Sequence, residues 1–424
     1  MENQFHLLAL TVQAQFKTNK APAVILMGQA GVGKNKGGVE PIAEVLGKHL
    51  VYLPAPRFES ADFNGYPAPI FPKESTPFSE ADELEALLAQ TEGIERAKEL
   101  VTKLVHAGAV SRIRTDNTGV MKMLAPDWAK TVSQHGPENF IVFLDEVADA
   151  DSRTQAALHG VIQDGSVADL NIEGAAFVMA MNPPEIATTG GCISHPVSNR
   201  CIIIEWEPSR HDIIGMFKRG KFEVPQPILL PDSWVGGISS SMAMVGRYLH
   251  NRPQNLRITP EELIQRGEDV WKPAHTDRSW EHFWILRAAA LASNQAHLLA
   301  DIAEGTVGSV GLEFLAWERD LNLGDPEDYI RNPRGHNLPE EDDRAFALAS
   351  MVVSAVTQDY TPDRCKRAWD FLKYLLENNR GDIAIIAATD LYACSDFSDK
   401  EAVTHIGPFI PLMREAQIIP GGGE

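Results

Sequence analysis

Cysteine is scarce in this chain. Its 424 residues hold four, Cys192, Cys201, Cys365 and Cys394, with no CxxC pair, too few and too scattered for a disulfide framework. No apolar run approaches the roughly 20 residues that span a bilayer, and the opening MENQFHLLALTVQAQ has no signal-peptide pattern. The expectation is a soluble, cytoplasmic protein with no membrane association. Positive charge is in deficit: 38 Lys and Arg stand against 58 Asp and Glu, a formal net charge of −20. A surface that acidic repels phosphate backbones, and no dense Lys-Arg run offsets it, which disfavours nucleic acid as a partner. No internal repeat is evident. What remains is ordinary globular material, 44% hydrophobic and 23% charged, with ample apolar residues for a core. At roughly 150 residues per domain, the length fits two or three domains.

One segment carries a sharp chemical signal. Ala23-Val24-Ile25-Leu26-Met27 is a short apolar run behind Pro22, and Gly28-Gln29-Ala30-Gly31-Val32-Gly33-Lys34 follows at once. That is GxxxxGK after an expected strand, the context a phosphate-binding loop requires. Glycines let the backbone curl with its N–H groups facing one concavity, where they bind phosphate oxygens. The next helix, beginning near Lys34, adds its positive N-terminal end, and Lys34 would reach the β- and γ-phosphates. The motif asks for Ser or Thr next, as a Mg²⁺ ligand; here stands Asn35, whose amide oxygen is also a hard-cation ligand but longer and differently oriented. Gly37 and Gly38 weaken the first helical turn, at about 1 kcal/mol per interior glycine. Binding of nucleotide is better supported than its hydrolysis.

A second apolar run, Phe140-Ile141-Val142-Phe143-Leu144, ends in Asp145-Glu146. It suits a buried parallel strand whose C-terminal end faces a ligand crevice. Asp145 would hold Mg²⁺, through water, and Glu146 would polarise an attacking water. A third run, Ala176 to Met181, ends in Asn182-Pro183-Pro184. Asn182 either hydrogen-bonds the γ-phosphate or the attacking water, or is a turn-forming Asn before proline.

The motifs GQAGVGK, FLDE and MAMNPPE, in this order, resemble an AAA+ ATPase and more narrowly its MoxR branch. Asp62-Phe63-Asn64-Gly65-Tyr66-Pro67 resembles that branch's DLxGxP segment, and Leu124-Ala125-Pro126-Asp127-Trp128 its LPPEWL stretch. Thr154 to Leu158 with Gln163-Asp164-Gly165 resembles the helix and hairpin after the acidic pair. Pro196-Val197-Ser198-Asn199-Arg200 resembles the ALANRF element, Asp277-Arg278-Ser279-Trp280-Glu281 the PRSWE segment of the lid, and Gly311 to Ala316 the GxEFLAxL stretch. The similarity runs from about residue 20 to about 390, through motifs that are jointly specific. By this resemblance Arg200 is a finger contributed to a neighbour's nucleotide and Arg278 a sensor on the same subunit's lid; the plain alternative for each is a surface salt bridge. The resemblance also implies ATP and Mg²⁺, a ring oligomer, by analogy a hexamer, and a protein partner bearing a von Willebrand factor A domain. The function it implies is an ATP-hydrolysing remodelling or chaperone motor. The alternative, kept open by Asn35, is a nucleotide-gated scaffold with weak or no hydrolysis.

The expected fold is α/β, an AAA+ P-loop core with its parallel sheet between helices over residues 1–207, then a helical lid over 208–310 and a C-terminal helical extension over 311–424. Between Phe71 and Gly119 lies an apparent insertion, in which Leu84, Leu87, Leu88, Ile94, Ala97, Leu100 and Leu104 recur at amphipathic helical spacing. A helical hairpin over about 79–107 is expected, serving either as a partner contact or as a self-packed excursion. Cys192 with His195 has a metal-like spacing, but two candidate ligands do not make a zinc site.

Overall fold

Five apolar runs pair into one parallel sheet. A computed structural model describes residues 1–70, 84–85, 87–89, 93–106, 120–186, 191–321, 323, 325–394 and 406–415. Its strands are β1 Ala23–Met27, β2 His49–Pro54, β3 Tyr66–Ile70, β4 Val120–Leu124, β5 Phe140–Asp145, β6 Ser166–Val167, β7 Leu170–Asn171, β8 Ala176–Met181 and β9 Cys201–Glu205. The sheet runs β2-β5-β8-β1-β9, with Val24 opposite Val178 and Ile25 opposite Ile203. Neighbours in β1 point to opposite faces, and both faces are covered. Val24 and Leu26 join one apolar cluster; Ala23 and Ile25 join another. That is why the strands read as continuous apolar runs rather than alternating ones.

The first cluster is built on the helix Glu2–Gln15, whose Phe5, Leu8 and Val12 are wholly buried. Gln15 fixes it to the sheet: its amide donates to the Phe177 carbonyl at 3.3 Å and its oxygen accepts from the Phe177 N–H at 2.7 Å. The helices Ile238–Asn251, Asp277–Ala292, Leu299–Val307 and Ser309–Asp320 share this cluster through Tyr248, Trp280, Ile302 and Phe314. A separate cluster, from Ile330 to Phe409, holds together the helices Asp342–Gln358, Pro362–Glu377 and Gly381–Cys394. The chain is thus an α/β parallel-sheet core followed by helical regions, as expected.

Two features were not anticipated. β3 and β4 form an antiparallel ribbon, and the expected insertion emerges from its open end. Of that insertion the helix Ile94–His106 is described, burying Ala97 and Val101 and leaving Ile94 63% exposed; residues 71–83 and 107–119 lie outside the described residues. No helix among the described residues is long and apolar enough to cross a membrane.

Asp390 sits where the C-terminal helices meet the lid. Its carboxylate accepts from the Ser240 hydroxyl at 3.4 Å, and burial pushes its pKa up to about 6 against the opposing pull of Ser240 and Ser239. A folded-state value above the unfolded one of about 3.9 means that the folded chain holds this proton longer. Stability therefore declines as pH rises between those values. Asp390→Asn should raise the melting temperature at pH 7.5, by the equivalent of about 1–2 kcal/mol, and leave it nearly unchanged at pH 4; calorimetry at both pH values checks this.

Candidate functional site

The loop after β1 is shaped by three glycines with different duties. Gly31 and Gly33 adopt left-handed backbone, φ 78° and 82°, which side-chain-bearing residues avoid. Gly28 lies so close to the Trp206 carbonyl that a Cβ would collide with it. The loop is pinned by hydrogen bonds from the Gly28 N–H to Met181 O, 3.2 Å, and from the Trp206 N–H to Met27 O, 2.6 Å. Gln29, Ala30 and Val32 complete the turn between them.

Lys34 folds back into this loop. Its ammonium donates to Gly28 O at 2.5 Å, Gln29 O at 3.2 Å and Asn182 Oδ1 at 3.1 Å. Desolvation lowers its pKa, while Asp145 and Glu146 pull the other way. A partly desolvated cation among carbonyls gains from an anion drawn in beside it. Beyond Lys34 the backbone is not the expected α-helix but a π-helical turn, Lys34–Val39, a form often found at functional sites. Gly37 and Gly38 are not mere weaknesses there. Gly38 faces the Trp206 ring and Gly37 the ring of Phe222.

The acidic pair stands on the same edge. Asp145 closes β5, and Glu146 follows in left-handed backbone, φ 58°, a strain of about 1–3 kcal/mol for a non-glycine residue. Asp145 accepts from the Glu146 N–H and from the Tyr52 hydroxyl, both at 3.1 Å. Burial and the carboxylate raise the tyrosine's pKa, so the phenol stays a donor. The sequence did not single out Tyr52; its only signal was a place in a short strand, and the pairing of β2 with β5 brings it here. Because β8 lies between β1 and β5, Asn182 at its tip falls between the Lys34 loop and Asp145. The strand order thus gathers Lys34, Asn182, Asp145 and Glu146 along one edge.

Asn35 accommodates a cation in one respect. Its Nδ2 donates to Glu40 Oε1 at 3.0 Å, which leaves its Oδ1 buried with no hydrogen-bond partner. An unpaired buried carbonyl oxygen is costly and is a ligand type that Mg²⁺ accepts. Among the described residues no group of three or more His, Cys, Asp or Glu could hold a metal. A divalent ion beside Asn35 and Asp145 would draw its other ligands from phosphate and water, as Mg²⁺ commonly does.

The two arginines lie elsewhere. Arg200 precedes β9, and its carbonyl accepts from the N–H of Ala23, the first residue of β1, at 3.1 Å. It therefore marks the opposite edge of the sheet, about 16 Å from the loop at 3.3 Å per strand residue. Its guanidinium donates to Pro196 O at 2.8 Å and to Gln163 Oε1, with Nε buried and unpartnered. Burial and then Arg278 push its pKa down to about 10. Arg278 lines the same cleft of about 310 Å³, with Asp164, Glu281 and His282. Arg278 thus stands beside Arg200, near the start of β1 and β8. Its helix docks Trp280, Phe283 and Leu286 into the cluster built on Glu2–Gln15, a packing reinforced by Lys20 and Glu281 at 3.4 Å, and this turns Arg278 toward Arg200. Among the described residues the acids flanking Arg278 are engaged elsewhere, Glu281 with Lys20 and Asp277 with Arg257.

No protein-family model matches the chain, and no curated protein does. Among solved structures it is similar to one from Cytophaga hutchinsonii ATCC 33406, named a "putative ATPase", at 12% identity over 71% of this chain and 78% of that one, with a TM-score of 0.33. A likeness that loose adds nothing to the fold, which rests on the strand order and on the loop at the tip of β1.

The cleft geometry is testable by titration. His159 is held below its ordinary pKa by burial, then by Arg200 and Arg278. Arg278→Ala should raise its midpoint, read from imidazole NMR shifts. An unmoved His159 would place Arg278 away from this cleft.

Proposed function

We propose that the chain binds and hydrolyses ATP with Mg²⁺, as a MoxR-like AAA+ motor that assembles into a ring and remodels a protein partner. The observation that carries the reading is Lys34 Nζ at 3.1 Å from Asn182 Oδ1 inside a glycine-shaped loop, on the edge that also presents Asp145 and Glu146. Backbone N–H groups from Ala30 to Lys34 bind the β-phosphate, and Lys34 neutralises charge on the β- and γ-oxygens. Asn35 and Asp145 hold the ion, with Tyr52 orienting the Asp145 carboxylate; when bound, Mg²⁺ supplies charge neutralisation across the phosphates. Asn182 positions a water against the γ-phosphorus. Glu146 takes a proton from that water as its oxygen bonds to phosphorus and the bond to the ADP oxygen breaks.

Arg200 and Arg278 are at the wrong end of the sheet to assist this step in their own subunit. Presented together, they suit the γ-phosphate of a neighbour, where an interface excludes water. That placement supports a ring; its six members and a von Willebrand factor A domain protein as the partner rest on the resemblance alone. A second reading has its own observation: the Asn35 amide is tied to Glu40 and on this reading serves the helix rather than the ion, leaving a scaffold that closes on ATP and scarcely turns it over. Asn35→Thr separates the two, since a large rise in steady-state turnover favours the scaffold.

Lys34→Ala should abolish ATP binding measured by calorimetry. Glu146→Gln should keep binding and lose at least about 100-fold in phosphate release. Unchanged affinity in the lysine variant would refute the site. The neighbour's role is checked by mixing: Arg200→Ala and Lys34→Ala should each be inactive alone, and together recover part of the turnover, because mixed rings contain intact pairs. Full activity of Arg200→Ala alone overturns the shared site.

A further inference from the structure

The segment that follows β9 returns to the phosphate-binding loop. The helix Arg210–Arg219 is stopped by Gly220 in left-handed backbone, φ 74°, and two residues later Phe222 lies against the turn that begins at Gly33. A Cβ on Gly33 would fall 2.6 Å from Phe222 Cζ, and one on Gly37 would fall 3.1 Å from its Cγ and Cδ2. Residues four apart share one face of a helical turn, so the two glycines make a bare seat for the ring. The tip of the ring rests over the loop and its root one turn on. Further along, the segment is tied down by Gln13, which donates to Ile228 O at 3.0 Å and accepts from the Leu230 N–H at 2.9 Å. Phe222 itself is only part-buried, so its seat does not consume the whole ring.

The side from which the ring arrives matters. β1 has β8 on one flank and β9 on the other. Asn182 follows β8, and Asp145 lies one strand beyond, so the groups suited to a terminal phosphate all stand on the β8 flank. A triphosphate oriented to them leaves its nucleoside end on the β9 flank, past Gly33 and Gly37. Phe222 waits there. We propose that Phe222 is the platform on which the nucleobase stacks, a positioning residue that sets preference for purine nucleotides over bare polyphosphate. This rests on the nucleotide-site reading above. Stacking needs only a π-face, and a preseated ring loses little freedom on binding.

The test uses the full chain with Mg²⁺, and calorimetric binding of ATP and of inorganic tripolyphosphate. Phe222→Leu keeps an apolar side chain on the glycine seat and removes the π-face. It should weaken ATP about tenfold and leave tripolyphosphate unchanged. Phe222→Trp should hold ATP at least as tightly as the native chain, with new indole fluorescence that ATP quenches and tripolyphosphate does not. ATP affinity unchanged or tightened by leucine overturns the platform, the latter making the ring a plug. An equal loss of both ligands also overturns it, because the ring would then only shape the loop. Should the leucine variant fail to fold, the tryptophan variant decides, and absence of ATP quenching counts against stacking. A native chain that binds neither ligand removes the nucleotide site and the platform with it, whereas one that binds both while the leucine variant is unaltered removes the platform alone.

Discussion

The site depends on a lysine ammonium held among carbonyls. Lys34 gives up water to sit against Gly28 O, Gln29 O and Asn182 Oδ1, and none of these neutralises it. Everything nearby sustains that arrangement. Left-handed glycines let the loop bend back over the lysine, Trp206 braces the loop from below, and the position of β8 brings Asn182 within reach. The carboxylates lie near enough to keep the ammonium charged yet form no ion pair with it. A cation buried to that degree without a carboxylate in contact is poised for an anion. If Asp145 closed directly on Lys34, the loop would hold an internal salt bridge and lose that poise.

Much of this was legible in the sequence because the relevant signals are local. GxxxxGK after an apolar run fixes a loop at a strand tip, and apolar runs ending in Asp145 or Asn182 place those residues at strand tips too. A parallel sheet with both faces covered follows from continuous apolar strands. What could not be read was which strand lies beside which. Tyr52 meets Asp145 only because β2 pairs with β5, 93 positions away in the chain, and nothing in HLVYLP announces a partner. The neighbours of Arg278 were out of reach for the same reason. Its motif marks a helix near the lid, but the face on which that helix docks is settled by Trp280 and Phe283 finding the apolar surface of Glu2–Gln15. The opening segment shows the limit in another way: nothing in ENQFHLLALTVQAQ announces that Gln15 bonds this helix to β8.

Glycine carried two meanings, and the sequence offered one. Gly37 and Gly38 read as defects in a helix start, and their intrinsic helix cost stands. Each nevertheless leaves room for a ring, Phe222 or Trp206, that a Cβ would crowd and that arrives from more than 160 positions downstream. The π-helical turn is consistent with this, since a wider turn brings these glycines against those rings. The loop's composition thus answers to packing as well as to the curl of its own backbone.

The arginine cleft is the complementary problem at the other edge of the sheet. Arg200 and Arg278 each depress the other's neighbours: His282, fully buried, is pushed down to about 3 by burial and then by both arginines, and Arg200 itself is lowered. Two guanidiniums side by side in a chain of net charge −20 could have been neutralised by acids at little cost, and Asp164 and Glu281 line the same cleft. Yet neither carboxylate closes on them. The unspent positive charge at the N-terminal edge and the loop at the C-terminal edge lie about a strand's length apart, too far to meet within one chain. On the reading proposed above, the N-terminal edge of one copy would face the C-terminal edge of the next, and because such a contact is head-to-tail it would close into a ring where the rotation between copies divides a full turn.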